Sequence, residues 1–161
     1  MRGTCASWFP AGFKLAKRVV IAVNNSKTVL RWTRLTNGLI DFGDRGQLRR
    51  VLGLAVGDPN AARHIIAWEH RTHPLVRRAA QGQNPFHMNE ELNGIPLLPV
   101  QHGVGGHANY NRRIFDRLED IWRVDMDILP KDARKELDKL MNEIRGMING
   151  NSNIPVDNLI F

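Results

Sequence analysis

The spacing of apolar and polar residues is strand-like in the first part of the chain. Two β-branched runs, Lys17–Val23 and Lys27–Trp32, flank Asn24-Asn25-Ser26, which predicts an antiparallel hairpin. Asn37-Gly38 predicts a second turn, leading into an extended piece at 39–42. Residues 1–16 are punctuated by Gly and Pro and are expected to form an irregular lead-in.

The spacing becomes helical further along the chain. Asp44 is expected to cap a short helix over Arg45–Leu52, closed by Gly53, and residues 74–81 predict another with Pro in its first turn. Apolar residues recur at helical spacing from His107 until Pro130 and again over Lys131–Ile148. The apolar tail 151–161 is expected to pack back onto the core.

Between these helices, Asn93-Gly94 predicts a turn that joins Leu92 to a second extended piece. Pro96 and Pro99 make that piece an edge strand or an extended loop. Residues 103–106 predict a flexible glycine-rich loop. We expect one α+β domain with three parts: a lead-in and hairpin at 1–44, a core at 45–125, and a helical cover at 126–161.

The basic charge lies in the first part of the chain. Of the net +7, residues 1–60 carry the whole excess, with ten Lys/Arg against three acids, whereas 61–161 are balanced at thirteen of each. Such a stretch suits contact with a polyanion, where basic side chains replace the counterions of phosphates. Basic residues also serve solubility alone.

The composition limits the chemistry. The single cysteine, Cys5, excludes an internal disulfide and a multi-cysteine zinc site, so a metal would need His, Asn, Asp or Glu ligands. The longest apolar run, Val19–Val23, is far short of the ~20 residues of a membrane helix, and no secretory signal pattern is visible.

All six histidines lie between positions 64 and 107. An extended segment carrying His64 is followed by the Asn93 turn and then by a helix start with His107 and Asn111, whose i,i+4 spacing puts both on one face. This is the order of a strand–strand–helix metal finger that hydrolyses phosphodiesters, with a His outside the metal shell as general base. Each piece alone is also common as a core histidine, a helix cap or a plain turn.

At these residues the sequence resembles the AHH nucleases of the HNH/endonuclease VII superfamily, which have a treble-clef, ββα-metal core. The resemblance covers about residues 46–122 and rests on blocks in a fixed order. The blocks are Ala62-Arg63-His64-Ile65-Ile66, His73-Pro74-Leu75-Val76, Phe86-His87-Met88-Asn89, Asn93-Gly94-Ile95-Pro96-Leu97 and His107-Ala108-Asn109-Tyr110-Asn111.

The resemblance implies a role for each matching residue. His64 would be the general base and Asn93 the central Asn of the superfamily, both counted here as catalytic. A divalent ion (Mg, Mn or Zn) would be bound by His107. Asn111 and His102 would be further ligands of the ion, with a phosphate contact as the alternative for each. Substrate contacts would come from Arg63, His87, His73 and Arg112.

One residue departs from the family pattern. Arg63 stands where the first His of Ala-His-His would supply a metal ligand, and a guanidinium has no lone pair to offer. An introduced His-to-Arg change, a naturally attenuated nuclease, and an arginine that binds phosphate while other residues hold the metal are three explanations that stay open.

The function expected is a metal-dependent endonuclease acting on DNA or RNA, attenuated to the extent that Arg63 weakens the metal site. The family occurs largely as C-terminal modules of bacterial polymorphic toxins, which implies delivery by a secretion system, action in the target-cell cytoplasm and a cognate immunity protein. The alternatives are a catalytically dead nucleic-acid-binding module of the same fold and a purely structural interaction domain.

Overall fold

The computed structural model describes residues 15–23, 26–103 and 107–161. Strands β1 (Leu15–Val23) and β2 (Ser26–Arg34) pair antiparallel, and β2 also pairs with β3 (Ile40–Asp41). The predicted hairpin is confirmed, while its turn residues 24–25 lie outside the described residues, as do most of the lead-in and residues 104–106 of the predicted glycine loop. The turn before β3 has Gly38 at a φ of 79°, which glycine adopts without strain.

A second, two-stranded sheet carries the predicted His and Asn blocks. Strands β4 (Ala61–His64) and β5 (Gly94–Leu97) pair antiparallel, with His64 opposite Gly94. A Cβ at Gly94 would lie 2.6 Å from Leu48 Cδ1, so a larger residue here would force the buried Leu48 side chain to shift. The stretch before Gly94 is a 3-10 turn, Glu91–Asn93, rather than the extended piece that the sequence predicts.

Five α-helices complete the described part of the chain. They are α1 (Gln47–Val51), α2 (Pro74–Ala79), α3 (Pro99–His102), α4 (Ala108–Val124) and α5 (Pro130–Gly150). Three short 3-10 turns lie at Trp68–Thr72, Glu91–Asn93 and Val156–Asn158.

Two predicted helix boundaries are wrong. Asp44 does not cap α1, because its Oδ1 accepts from Gly46 N at 2.8 Å in a local turn and the helix begins only afterwards. Pro130 does not end α4, which stops at Val124; it is instead the first residue of α5, where its missing N–H costs nothing.

One apolar core includes side chains from all three predicted parts, such as Trp32, Leu75 and Leu137. The tail packs back onto it through Val156 and Leu159, as expected, whereas Ile160 is exposed. The architecture is the predicted α+β class. The three domain boundaries stay a prediction. Within the described ranges no helix is long and apolar enough to cross a membrane.

Candidate nuclease site

Some of the predicted site residues meet at a polar cavity of about 400 Å³ between β4 and the first turn of α4. Five of them line its wall together: Arg63, His64, His102, His107 and Asn111. Asn93, His73, His87 and Arg112 do not line it. The ββα order that the sequence predicts therefore brings the base and the proposed metal ligands to one place.

His64 is the last residue of β4 and is held in a defined tautomer. Its Nε2 lies 2.9 Å from Asn89 Oδ1, and the side-chain amide N–H of Asn89 donates to Asp44 O at 2.9 Å. Asn89 therefore presents its oxygen, so Nε2 of His64 carries the proton and Nδ1 has the free lone pair. No hydrogen bond from the described residues reaches that Nδ1.

Burial keeps the His64 ring neutral. It lowers the pKa of His64 to about 4, against the opposing effect of the hydrogen bond that the ring donates to Asn89, and the nearby charges of Arg45 and Arg63 lower that pKa further. At neutral pH the ring is thus in the form that accepts a proton.

Asn93 supports the predicted base, His64, from behind the cavity wall. Its side chain is fully buried, accepting from Ile66 N at 2.7 Å and donating to Met88 O at 2.8 Å. It fixes the backbone that follows His64 and is not exposed to a substrate. These hydrogen bonds give Asn93 a positioning role, and its place among the catalytic residues stays a prediction.

Arg63 is tied to the start of α4. Its Nη2 donates to Asn111 Oδ1 at 2.6 Å, and its guanidinium carbon lies 5.0 Å from the centre of the Tyr110 ring. Tyr110 is itself fixed, since its hydroxyl donates to Ile65 O at 2.8 Å. The guanidinium is therefore hydrogen-bonded to Asn111 Oδ1, the oxygen that the sequence assigns to a metal ion.

The residues present do not fit a divalent ion as they stand. His102 and His107 have ring centres 4.9 Å apart, and Nε2 of His107 is buried with no partner among the described residues. Asn111 Oδ1, however, is taken by a cation, and the described part of the chain holds no group of three His, Cys, Asp or Glu arranged to bind a metal. His102, His107 and Asn111 line one cavity, and their ligation of a metal stays a prediction.

Two predicted substrate contacts are structural instead. His87 is fully buried, with Nε2 donating to Arg31 O at 3.2 Å and Nδ1 accepting from Asn89 N at 3.0 Å. His73 caps α2 by accepting from Leu75 N, and its Nε2 donates to Glu119 at 2.9 Å. Both rings are enclosed, and their nitrogens are engaged. Arg112 is exposed on α4 away from the cavity wall, and its contact stays a prediction.

The burial of His87 predicts acid sensitivity of folding. Burial lowers the pKa of His87 to about 4. The contribution of the neutral ring to the free energy of unfolding is therefore present above pH ~6.5 and is lost as the pH falls toward 4. We expect His87→Gln, which can form the same two hydrogen bonds, to remove about 2–3 kcal/mol of the stability difference between pH 7.5 and 4.5. Urea unfolding of both proteins at the two pH values measures this. Parallel pH dependences would refute it.

Sequence reasoning missed several residues of the site. Arg45, Trp68 and Arg71 also line the cavity, with the Trp68 ring 5.4 Å from that of His64 and the Arg71 guanidinium 5.9 Å from Trp68. Asn89 was noted only as part of a motif block. His70, buried, donates to Asn111 O at 2.9 Å and so fixes the start of α4. No regular spacing in the sequence marks this set.

Two strands and a helix around a cavity of arginines and histidines define a nuclease-like site of the ββα class. The family model of AHH, a nuclease family of the HNH/ENDO VII superfamily with conserved AHH, matches residues 48–144. The chain belongs to this family, which confirms the resemblance at the level of the family. At the conserved motif it has Ala62-Arg63-His64. Neither the curated proteins nor the solved structures gave a match.

Proposed function

We propose that the chain binds nucleic acid across the cavity and cleaves a phosphodiester bond with His64 as general base. The observation that carries this is the free Nδ1 of His64, presented on a wall that also holds Arg63 and Arg71. Family membership supports a hydrolase acting on nucleic acid.

Four residues each have a separate role in this proposed reaction. Arg63 donates to a non-bridging phosphate oxygen and stabilises the charge that develops there. His64 accepts the proton of the attacking hydroxyl through Nδ1, while Asn89 keeps the ring in the required tautomer. Asn93 holds the backbone behind it.

The salt dependence of nucleic-acid binding tests whether the arginines that line the cavity contact phosphates. Replacing Arg45 and Arg71 by Gln is expected to weaken nucleic-acid binding and to reduce the slope of log affinity against log salt by about 2, one for each lost phosphate contact. Arg50→Gln with Arg123→Gln is the matched control, because it removes the same charge at exposed positions off the cavity wall. Fluorescence anisotropy on a labelled oligonucleotide gives both slopes. Equal slopes for the two double variants would place the contacts elsewhere.

We further propose that the basic hairpin region extends the nucleic-acid contact. It carries Lys17, Arg18 and Lys27, and residues 1–60 hold the whole positive excess. Deleting 1–34 is not a usable test, because Leu30 and Trp32 of β2 are buried in the core.

We also propose a toxin role, with secretion-dependent delivery and a cognate immunity protein, which rests on the setting in which the family usually occurs. Induced expression in a bacterial host should arrest growth, and His64→Ala should relieve the arrest. Growth that is equal for both would contradict this role. The rival reading, a catalytically dead binding module, predicts retained nucleic-acid affinity without any cleavage.

A further inference from the structure

Arg63 stands in the place of an expected metal ligand, and its guanidinium can perform one task of the metal ion. Its Nη2 is fixed on Asn111 Oδ1 at 2.6 Å and its guanidinium lies over the Tyr110 ring, so the group is held on the cavity wall. A guanidinium has five N–H donors. One is donated to Asn111 and that of Nε is buried, and the remaining N–H groups of the two outer nitrogens can bind a phosphate and stabilise its developing charge. It cannot, however, activate a water molecule as a bound metal does.

A site with a base and an arginine but without a metal ion lacks one stabiliser of the leaving oxygen, and such a site favours a nucleophile that is already next to phosphorus. The 2′-hydroxyl of RNA is such a group, because it is attached to the same sugar as the scissile phosphate and its attack is intramolecular. Deprotonation by one neutral imidazole then suffices. His64 provides this base, with its free Nδ1 on the cavity wall.

The cavity also favours an unpaired nucleotide. Trp68 lies partly exposed on the wall with its ring 5.4 Å from that of His64, and Arg71 lies beside it. A volume of about 400 Å³ is the size of a small ligand pocket. An aromatic face beside a phosphate-binding arginine is a stacking surface for a single-stranded base, which a paired base within a duplex cannot reach.

We infer that the substrate is single-stranded RNA, cleaved without a divalent metal by attack of its own 2′-oxygen; this inference rests on the proposed nuclease function. The 2′-hydroxyl proton passes to Nδ1 of His64 as the O2′–P bond forms. The P–O5′ bond breaks, and the 5′-oxygen takes a proton from solvent water in the cavity. The products are a 2′,3′-cyclic phosphate and a free 5′-hydroxyl, and His64 returns its proton to solvent.

The test uses the full chain with excess EDTA and end-labelled oligonucleotides of one sequence. We expect cleavage of single-stranded RNA to products ending in a 2′,3′-cyclic phosphate. The matching DNA, and RNA with a single 2′-deoxy sugar at the cleavage site, should be cleaved there at least about 10²-fold more slowly, because the attacking group is absent. RNA in a duplex should also be cleaved more slowly.

Variants separate the roles of the residues. Arg63→Lys keeps a charge but loses the planar fork, and we expect about 10²–10³-fold slower cleavage in EDTA. Trp68→Ala should raise KM for single-stranded RNA, and Trp68→Phe should restore it. Thermal unfolding checks that each variant is folded.

Cleavage that requires added metal, or that proceeds equally on DNA, would overturn the inference and leave the proposed nuclease function intact. Nucleic-acid binding without cleavage of any substrate, with or without metal, would overturn both.

Discussion

Replacing His64 by alanine is expected to slow cleavage by about 10²–10⁴-fold, the usual contribution of one general base, while nucleic-acid binding persists. Nδ1 of His64 is the free lone pair on the cavity wall, whereas Nε2 is held by Asn89, so no other described atom takes its place. Single-turnover rates and affinity should be measured on the same preparation. His73→Gln is the control, because that ring is buried outside the cavity.

The pH dependence provides a second measurement of the same assignment. Since burial lowers the pKa of His64 to about 4, this group stays deprotonated, and its contribution to the rate should not decline until the pH falls toward 4. Cleavage by His64→Ala at the parental rate would remove His64 from the mechanism.

Replacing Arg63 by histidine is expected to tighten divalent-metal binding on the order of 10²-fold and to create metal-dependent cleavage. The change frees Asn111 Oδ1, adds a neutral imidazole, and removes a positive charge from beside His107. At ~5 Å and an effective dielectric constant near 20, a divalent ion and a guanidinium repel by roughly 6–7 kcal/mol before screening. Even about a third of this is a thirtyfold change in affinity.

Isothermal titration with zinc, manganese and magnesium compares the two proteins directly. Arg63→Gln is the matched control, because it removes the charge without adding an imidazole ligand. If the chain with Arg63 already binds metal as tightly as Arg63→His, the guanidinium does not block the site, and our account of this residue fails.

Local sequence determines much of this fold. The β-branched runs around residues 24–26 form the β1–β2 hairpin, and the 3.6-residue spacing of Leu137, Met141 and Ile144 gives the buried face of α5. These features depend on neighbours within a few residues, so the sequence carries them directly. The boundaries at Asp44 and Pro130 were wrong, because Asp and Pro suit turns and helix starts in more than one register.

The order of the motif blocks along the chain is enough to identify the family, to predict His64 as the base and to find the departure at Arg63. What that order does not contain is which side chains face one another across the cavity. His64 meets Asn89 and Arg63 meets Asn111 over long stretches of chain, while Trp68 and Arg71 join them through an irregular turn. Likewise, only packing decides that His87 and His73 are enclosed with their nitrogens engaged, whereas His102 and His107 line the cavity. The sequence does not distinguish a histidine in the core from a histidine in the site. The tertiary structure alone decides which nitrogens of each ring are left without a hydrogen-bond partner.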